Sequence, residues 1–65
     1  MTLYEFVKYE GLKRNLSMYK LAKEVGISIP TIYKIKKREP SRHTYHKLAK
    51  YFDITIAELL KYPIE

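Results

Sequence analysis

The chain has 65 residues, with 13 Lys and Arg against 7 Asp and Glu for a net charge of +6 and a pI near 9.6; a chain this short buries only about 60% of its unfolded surface, too little to wall a large catalytic cleft. With no cysteine, a disulfide scaffold, a cysteine-ligated zinc site and a thiol nucleophile are excluded, and the small secreted folds with them. Hydrophobic residues make up 46%, no apolar run approaches the roughly 18 residues of a membrane span, and Glu5 and Glu10 sit where a signal peptide would be basic and then apolar, so the expectation is one soluble cytoplasmic domain over residues 1–65.

Thr2 and Glu5 have the spacing of a capping box, and Leu3, Phe6 and Val7 supply an apolar stripe at helical spacing, which predicts a first helix over 3–14. Ser17 is a second N-cap residue; Leu21, Ala22 and Val25 share one face behind it, and Gly26 provides the left-handed stop of a short second helix. Gly26 and Ile27 alone separate that helix from Ser28, a third cap. Pro30 then falls in the first turn, where its missing N–H costs little, and Ile32 and Ile35 point inward, giving a third helix over 29–38. Pro40 stops it and Ser41 caps a fourth, with Tyr45, Leu48, Ala49 and Phe52 in a stripe of threes and fours. Asp53 and Ile54 make a turn, and Thr55 with Glu58 repeats the capping box. Ile56, Leu59 and Leu60 then form the apolar face of a fifth helix that ends by Pro63. No strand pattern competes, because Pro30 interrupts the β-branched run around Ile27, Ile29 and Ile32. The fold class is all-α, five short helices sharing one core with a radius of gyration of roughly 11 Å.

The charge is unevenly placed. Residues 34–50 hold Lys34, Lys36, Lys37, Arg38, Arg42, Lys47 and Lys50 against Glu39 alone, while the cations and anions of the remainder balance. All the excess positive charge thus lies in one quarter of the chain, the pattern expected of a face that meets a polyanion. A solvated surface helix explains an isolated basic run equally well, so the neighbouring elements decide. Two short helices joined by a tight glycine turn present the second as a ridge suited to the DNA major groove.

The run Ser17 to Ser41, with Leu21-Ala22, Val25-Gly26-Ile27-Ser28, Thr31-Ile32, Ile35 and Pro40-Ser41, resembles the lambda repressor and Cro-like (XRE-type) helix-turn-helix family. The likeness continues through Leu48-Ala49, Phe52, Ile54 and Glu58-Leu59-Leu60. It implies a five-helix DNA-binding transcriptional regulator whose helix 3 reads double-stranded DNA, with Ser28, Ile29, Pro30, Thr31 and Lys34 at the base-facing positions. Among these, the Lys34 ammonium suits the O6 and N7 acceptors of guanine, Ser28 and Thr31 suit bases or phosphates, and Ile29 and Pro30 suit a thymine methyl. Partial burial beneath helix 2 is an equal alternative for Ile29. Phosphate contacts fall by resemblance on Ser17, Met18, Tyr19, Tyr33, Lys36, Lys37, Arg38, Arg42 and His43, which contribute affinity more than sequence preference. Three positions depart from the family pattern. Met18 replaces a common glutamine and leaves the contact to a backbone N–H. Gly11 and Lys36 replace an arginine–glutamate pair, which frees Lys36 to face DNA. Arg38 replaces the glycine that commonly ends helix 3.

Other chemistries are poorly supported. His43 and His46, even with Glu39, offer no fourth His or Cys for a tetrahedral metal site, and Ser41 near His43 lacks a pocket, so no metal, cofactor, small-molecule ligand or catalytic activity is expected. Tyr4, Tyr45 and Tyr51 fit the core or its edge, while Tyr9, Tyr19 and Tyr33 fit the surface rather than a base-stacking platform. Ile56, Leu59, Leu60, Tyr62 and Ile64 offer more apolar surface than one small core needs, suggesting a weak homodimer interface, with core completion as the alternative. The bare DNA-binding domain points to a phage-type repressor of a palindromic operator. A protein-interaction module on the same fold, such as an antitoxin, is the second reading.

Overall fold

Each helix begins at a Ser or Thr whose side chain accepts the N–H three residues on. In the computed structural model, which describes all 65 residues, the helices are α1 (Leu3–Lys13), α2 (Met18–Val25), α3 (Ile29–Lys34), α4 (Arg42–Phe52) and α5 (Ile56–Leu60). Their caps are Thr2, Ser17, Ser28, Ser41 and Thr55, each satisfying an otherwise orphaned amide and contributing about 1 kcal/mol. At α1 the capping box is complete: the Thr2 N–H donates to Glu5 Oε1 at 2.8 Å, and the Glu5 N–H donates to Thr2 Oγ1 at 3.1 Å. At α5 only half of it forms, the Glu58 N–H donating to Thr55 Oγ1.

The helix ends follow backbone chemistry. Gly26 closes α2 in the left-handed region at φ 91°, and Asn15 and Asp53 adopt the same region at φ 58° and 57°, which short polar side chains tolerate. The third helix is shorter than its predicted 29–38. Beyond Lys34 the Lys36 and Lys37 amides turn to the carbonyls three residues back, at 3.3 and 3.0 Å. The tighter coil drives Ile35 into the core before Pro40 forces the preceding residue extended. The fifth helix likewise stops at Leu60 rather than reaching Pro63. Pro63 instead accepts the Leu3 N–H at 2.8 Å, joining the tail to the start of α1.

The inward stripes meet in one cluster of Leu3, Val7, Leu21, Ala22, Ile32, Ile35, Tyr45, Leu48, Ala49, Phe52 and Leu59. Complete burial of a Leu or Ile side chain contributes about 1.5–3 kcal/mol, so this cluster carries the fold. Phe6 caps it, lying edge-on to Phe52 with ring centroids 5.7 Å apart and stacked on Tyr62 at 4.5 Å. Buried Gly11 lets α1 approach α2 closely: a Cβ there would lie 3.0 Å from Leu21 Cδ2 and 3.3 Å from the Leu16 carbonyl oxygen. The radius of gyration is 10.4 Å. No helix is long and apolar enough to cross a membrane.

Candidate nucleic-acid interface

Two buried side chains three residues apart, Ile32 and Ile35, fix the rotation of α3 about its axis. At about 100° per residue, Pro30, Tyr33, Lys34 and Lys37 then fall on the opposite face, and all four are exposed. Ser28, at the mouth of the helix, accepts the Thr31 N–H at 3.2 Å, and its hydroxyl is bonded to that of Thr31 at 2.6 Å. The pair shares one proton between two oxygens, which leaves the other hydroxyl proton free to donate outward. Ile29 is half-buried and packs on the core, so only its outer edge is available to a ligand.

Upstream, Ser17 Oγ accepts the Lys20 N–H at 3.2 Å. The Met18 and Tyr19 amides, first in α2, have no acceptor within the helix and present partial positive charge. The Met18 side chain is half-buried and turned onto the core. Tyr19 is exposed, its ring covered by Lys23 Nζ at 4.7 Å from the centroid.

The basic stretch divides into committed and uncommitted charges. Lys36 Nζ lies 5.0 Å from the centre of the Tyr4 ring, on the α1 side of the molecule. The lysine for which the missing arginine–glutamate pair leaves room is therefore held by a cation–π contact with helix 1. Lys47 Nζ donates to the Gly26 carbonyl at 2.6 Å. By contrast Lys34, Lys37, Arg38, Arg42 and Lys50 are exposed, and none joins the chain's two ion pairs, both of which use Glu10, with Lys13 and with Arg14. His43 is exposed at the start of α4. Glu39, His43 and His46 do not converge as a metal-binding group.

Sequence reasoning missed the braces behind this surface. Tyr51 donates its hydroxyl to Glu24 Oε1 at 2.9 Å, and burial, followed by the Glu24 carboxylate, pushes its phenol above the ordinary tyrosine range. Arg14 bonds the Glu10 carbonyl and carboxylate while lying 5.6 and 5.2 Å from the Tyr51 and Phe52 ring centres. These partners are far apart in sequence, and no local pattern announces them.

An exposed short helix behind a glycine turn, with free cations in the loop that follows, suits a polyanionic groove. Residues 12–65 match the family described as the Cro/C1-type HTH DNA-binding domain. The chain belongs to that family. No curated protein and no solved structure gives a significant match. As a Cro/C1-type domain it is a DNA-binding regulator, with α2 and α3 as its helix-turn-helix and double-stranded DNA as its partner. The match begins within α1, so α2 through α5 lie entirely inside it.

Proposed function

We propose that this Cro/C1-type protein is a cytoplasmic, nucleoid-associated repressor that binds a palindromic operator as a weak homodimer formed on the DNA. The observation that carries this reading is the outward face of α3, where Lys34 and Lys37 stand exposed and unpaired beside Arg38 and Arg42. Long-range attraction by the uncommitted cations brings the protein to DNA. Lys37, Arg38, Arg42 and His43, with Ser17, Tyr19, Tyr33 and the free amides at the start of α2, grip phosphates and set orientation. Met18 takes part through its backbone N–H. Lys36, resting on Tyr4, serves packing first. Lys34 donates to guanine, Thr31 and Ser28 offer the free proton of their shared pair, and Pro30 with the edge of Ile29 packs on thymine methyls. Occlusion of polymerase then represses.

The test is selection of bound duplexes from a random DNA pool. A palindromic consensus is expected, and recovery of no preferred duplex overturns the reading. That second outcome favours the protein-interaction module, which draws on Leu12 and Leu60, 62% and 54% exposed on opposite ends of the fold's sequence.

A further inference from the structure

Lys47 differs from every other cation of the chain in one respect: all the other lysines and arginines are exposed, and Lys47 is half-buried. Its charge was expected to serve the basic face, yet its Nζ donates to the carbonyl of Gly26, 21 residues away, at 2.6 Å. That carbonyl belongs to the turn of the helix-turn-helix. The Gly26 and Ile27 amides both go to the Ala22 carbonyl, while no backbone amide reaches the Gly26 oxygen, so Lys47 is its sole protein partner. A cation at the end of α2 also faces the negative pole of that helix. One helical turn further along α4, Tyr51 donates to Glu24 Oε1 at 2.9 Å, near the same end of α2. Two donors spaced i, i+4 on one face of α4 therefore hold the last turn of α2 and the link to α3 from behind.

The recognition helix has little else to fix its angle. It is six residues long and anchors in the core through Ile32 and Ile35, while Ser28, where it starts, lies two residues past the braced carbonyl. A small rotation of the turn would swing Lys34 across a base pair. We infer that Lys47, with Tyr51, is a positioning residue for sequence readout: it locks the α2–α3 turn to α4 and sets the angle at which α3 enters the groove, without itself contacting DNA. This rests on the DNA-binding reading above.

The experiment compares the unaltered protein with Lys47→Met, which keeps the aliphatic stem and removes the donor, Tyr51→Phe, which removes one hydroxyl, and Lys61→Met as a control for one lost charge. Affinity is measured across a salt series for a duplex recovered by selection and for one of unrelated sequence. Lys47→Met and Tyr51→Phe should each lower the ratio of specific to non-specific affinity by about tenfold, the loss expected for a hydrogen bond to a charged group. The Lys61→Met ratio should not change, and the salt slope of Lys47→Met should match that of Lys61→Met. A slope shallower than the control by about one unit, with equal loss on both duplexes, would make Lys47 a phosphate ligand and overturn the inference. So would an unchanged ratio. If Lys47→Met does not fold, Tyr51→Phe decides alone, because it keeps the ring packed on Phe52. Failure of the unaltered protein to prefer any duplex removes the brace and the DNA-binding reading together, whereas preference retained by the variants removes the brace only.

Discussion

Lys34 and Lys37 sit three residues apart on the same face of the recognition helix and its continuation, yet chemistry assigns them different work. An ammonium group near the start of the groove-facing surface meets base edges, and one at the far end meets the backbone. Lys34→Ala should cost about 1–3 kcal/mol per half-site and relax preference at one base position; equal loss on every sequence, measured by competition between duplexes, would deny it a reading role. Lys37→Ala should weaken all sequences alike and make the salt slope shallower by about one unit per half-site. An unchanged slope would remove it from the phosphate set. Away from DNA, the hydrogen bond from Arg14, helped by Lys13, holds the Glu10 carboxyl below the ordinary carboxylate range, and the Thr2 amide does the same for Glu5. A carboxylate with a depressed folded-state pKa stabilises the fold above the unfolded value, about 4.3 for Glu, and that stability is lost as pH falls through the lower folded value. Urea denaturation should therefore show stability falling below about pH 4.3, and Glu10→Gln should have a flatter acid limb than the unaltered protein. Parallel limbs would mean that Glu10 gains nothing from its partners.

Helix starts were legible in the sequence because each depends on one side chain and the amide three residues away, a range that local reading covers; Thr2, Ser17, Ser28, Ser41 and Thr55 all cap as their spacing predicts. Helix ends were less so. The third helix gives up its regular bonding after Lys34 because Ile35 has to reach a core assembled from other elements, and no local rule contains that demand. The same limit explains the candidate interface. Its location in α3 and the following loop could be read from charge and turn chemistry, but a count of cations does not reveal that Lys36 is held by Tyr4 and Lys47 by Gly26. Thr44 is similarly buried at 5% exposure inside a stripe read as purely apolar; its hydroxyl is satisfied by Ser41 Oγ at 3.3 Å, a pairing created by the cap itself. Gly11 offers an element-level test. The glycine is not there for a turn, since it lies mid-helix; it is there because Leu21 and the Leu16 carbonyl leave no comfortable room for a side chain. Gly11→Val should therefore destabilise the protein by about 1–3 kcal/mol through overpacking, despite the better helix propensity of a non-glycine residue. A melting temperature equal to or above that of the unaltered protein would show that α1 and α2 can separate freely.

The molecule measures 24 × 23 × 22 Å between its Cα extremes, and this size limits how it can recognise DNA. One six-residue helix spans only a few base pairs, too little for a high-affinity unique site, so a second copy has to supply the remaining contacts. Two such bodies side by side, side chains included, bring equivalent helices near the ~34 Å that separates half-sites one helical turn apart. The surface best suited to join them lies where the α3–α4 loop meets α5: a shallow hollow lined by Glu39, Pro40, Arg42, Tyr45, Ile56 and Leu60, with Leu60 standing 54% exposed at its rim. Ile56, Tyr62 and Ile64 have turned partly inward onto the core, so the tail's apolar excess is largely spent on folding, and Leu60 is its main remainder. A patch this small supports a dimer only weakly in solution, but two copies held on adjacent half-sites are effectively concentrated, and a modest contact then suffices. Leu60→Asp should accordingly leave the thermal transition within about 0.5 kcal/mol, as exposed substitutions do, and leave binding to a single half-site intact. It should abolish cooperative filling of a palindromic duplex. Sedimentation of the protein–DNA complex provides the measurement: two copies per palindrome at saturation for the unaltered chain, with independent, non-cooperative filling for the variant. A unaltered chain that saturates palindromic DNA as one copy, or a variant that fills it just as cooperatively, would place the dimer contact elsewhere or remove it.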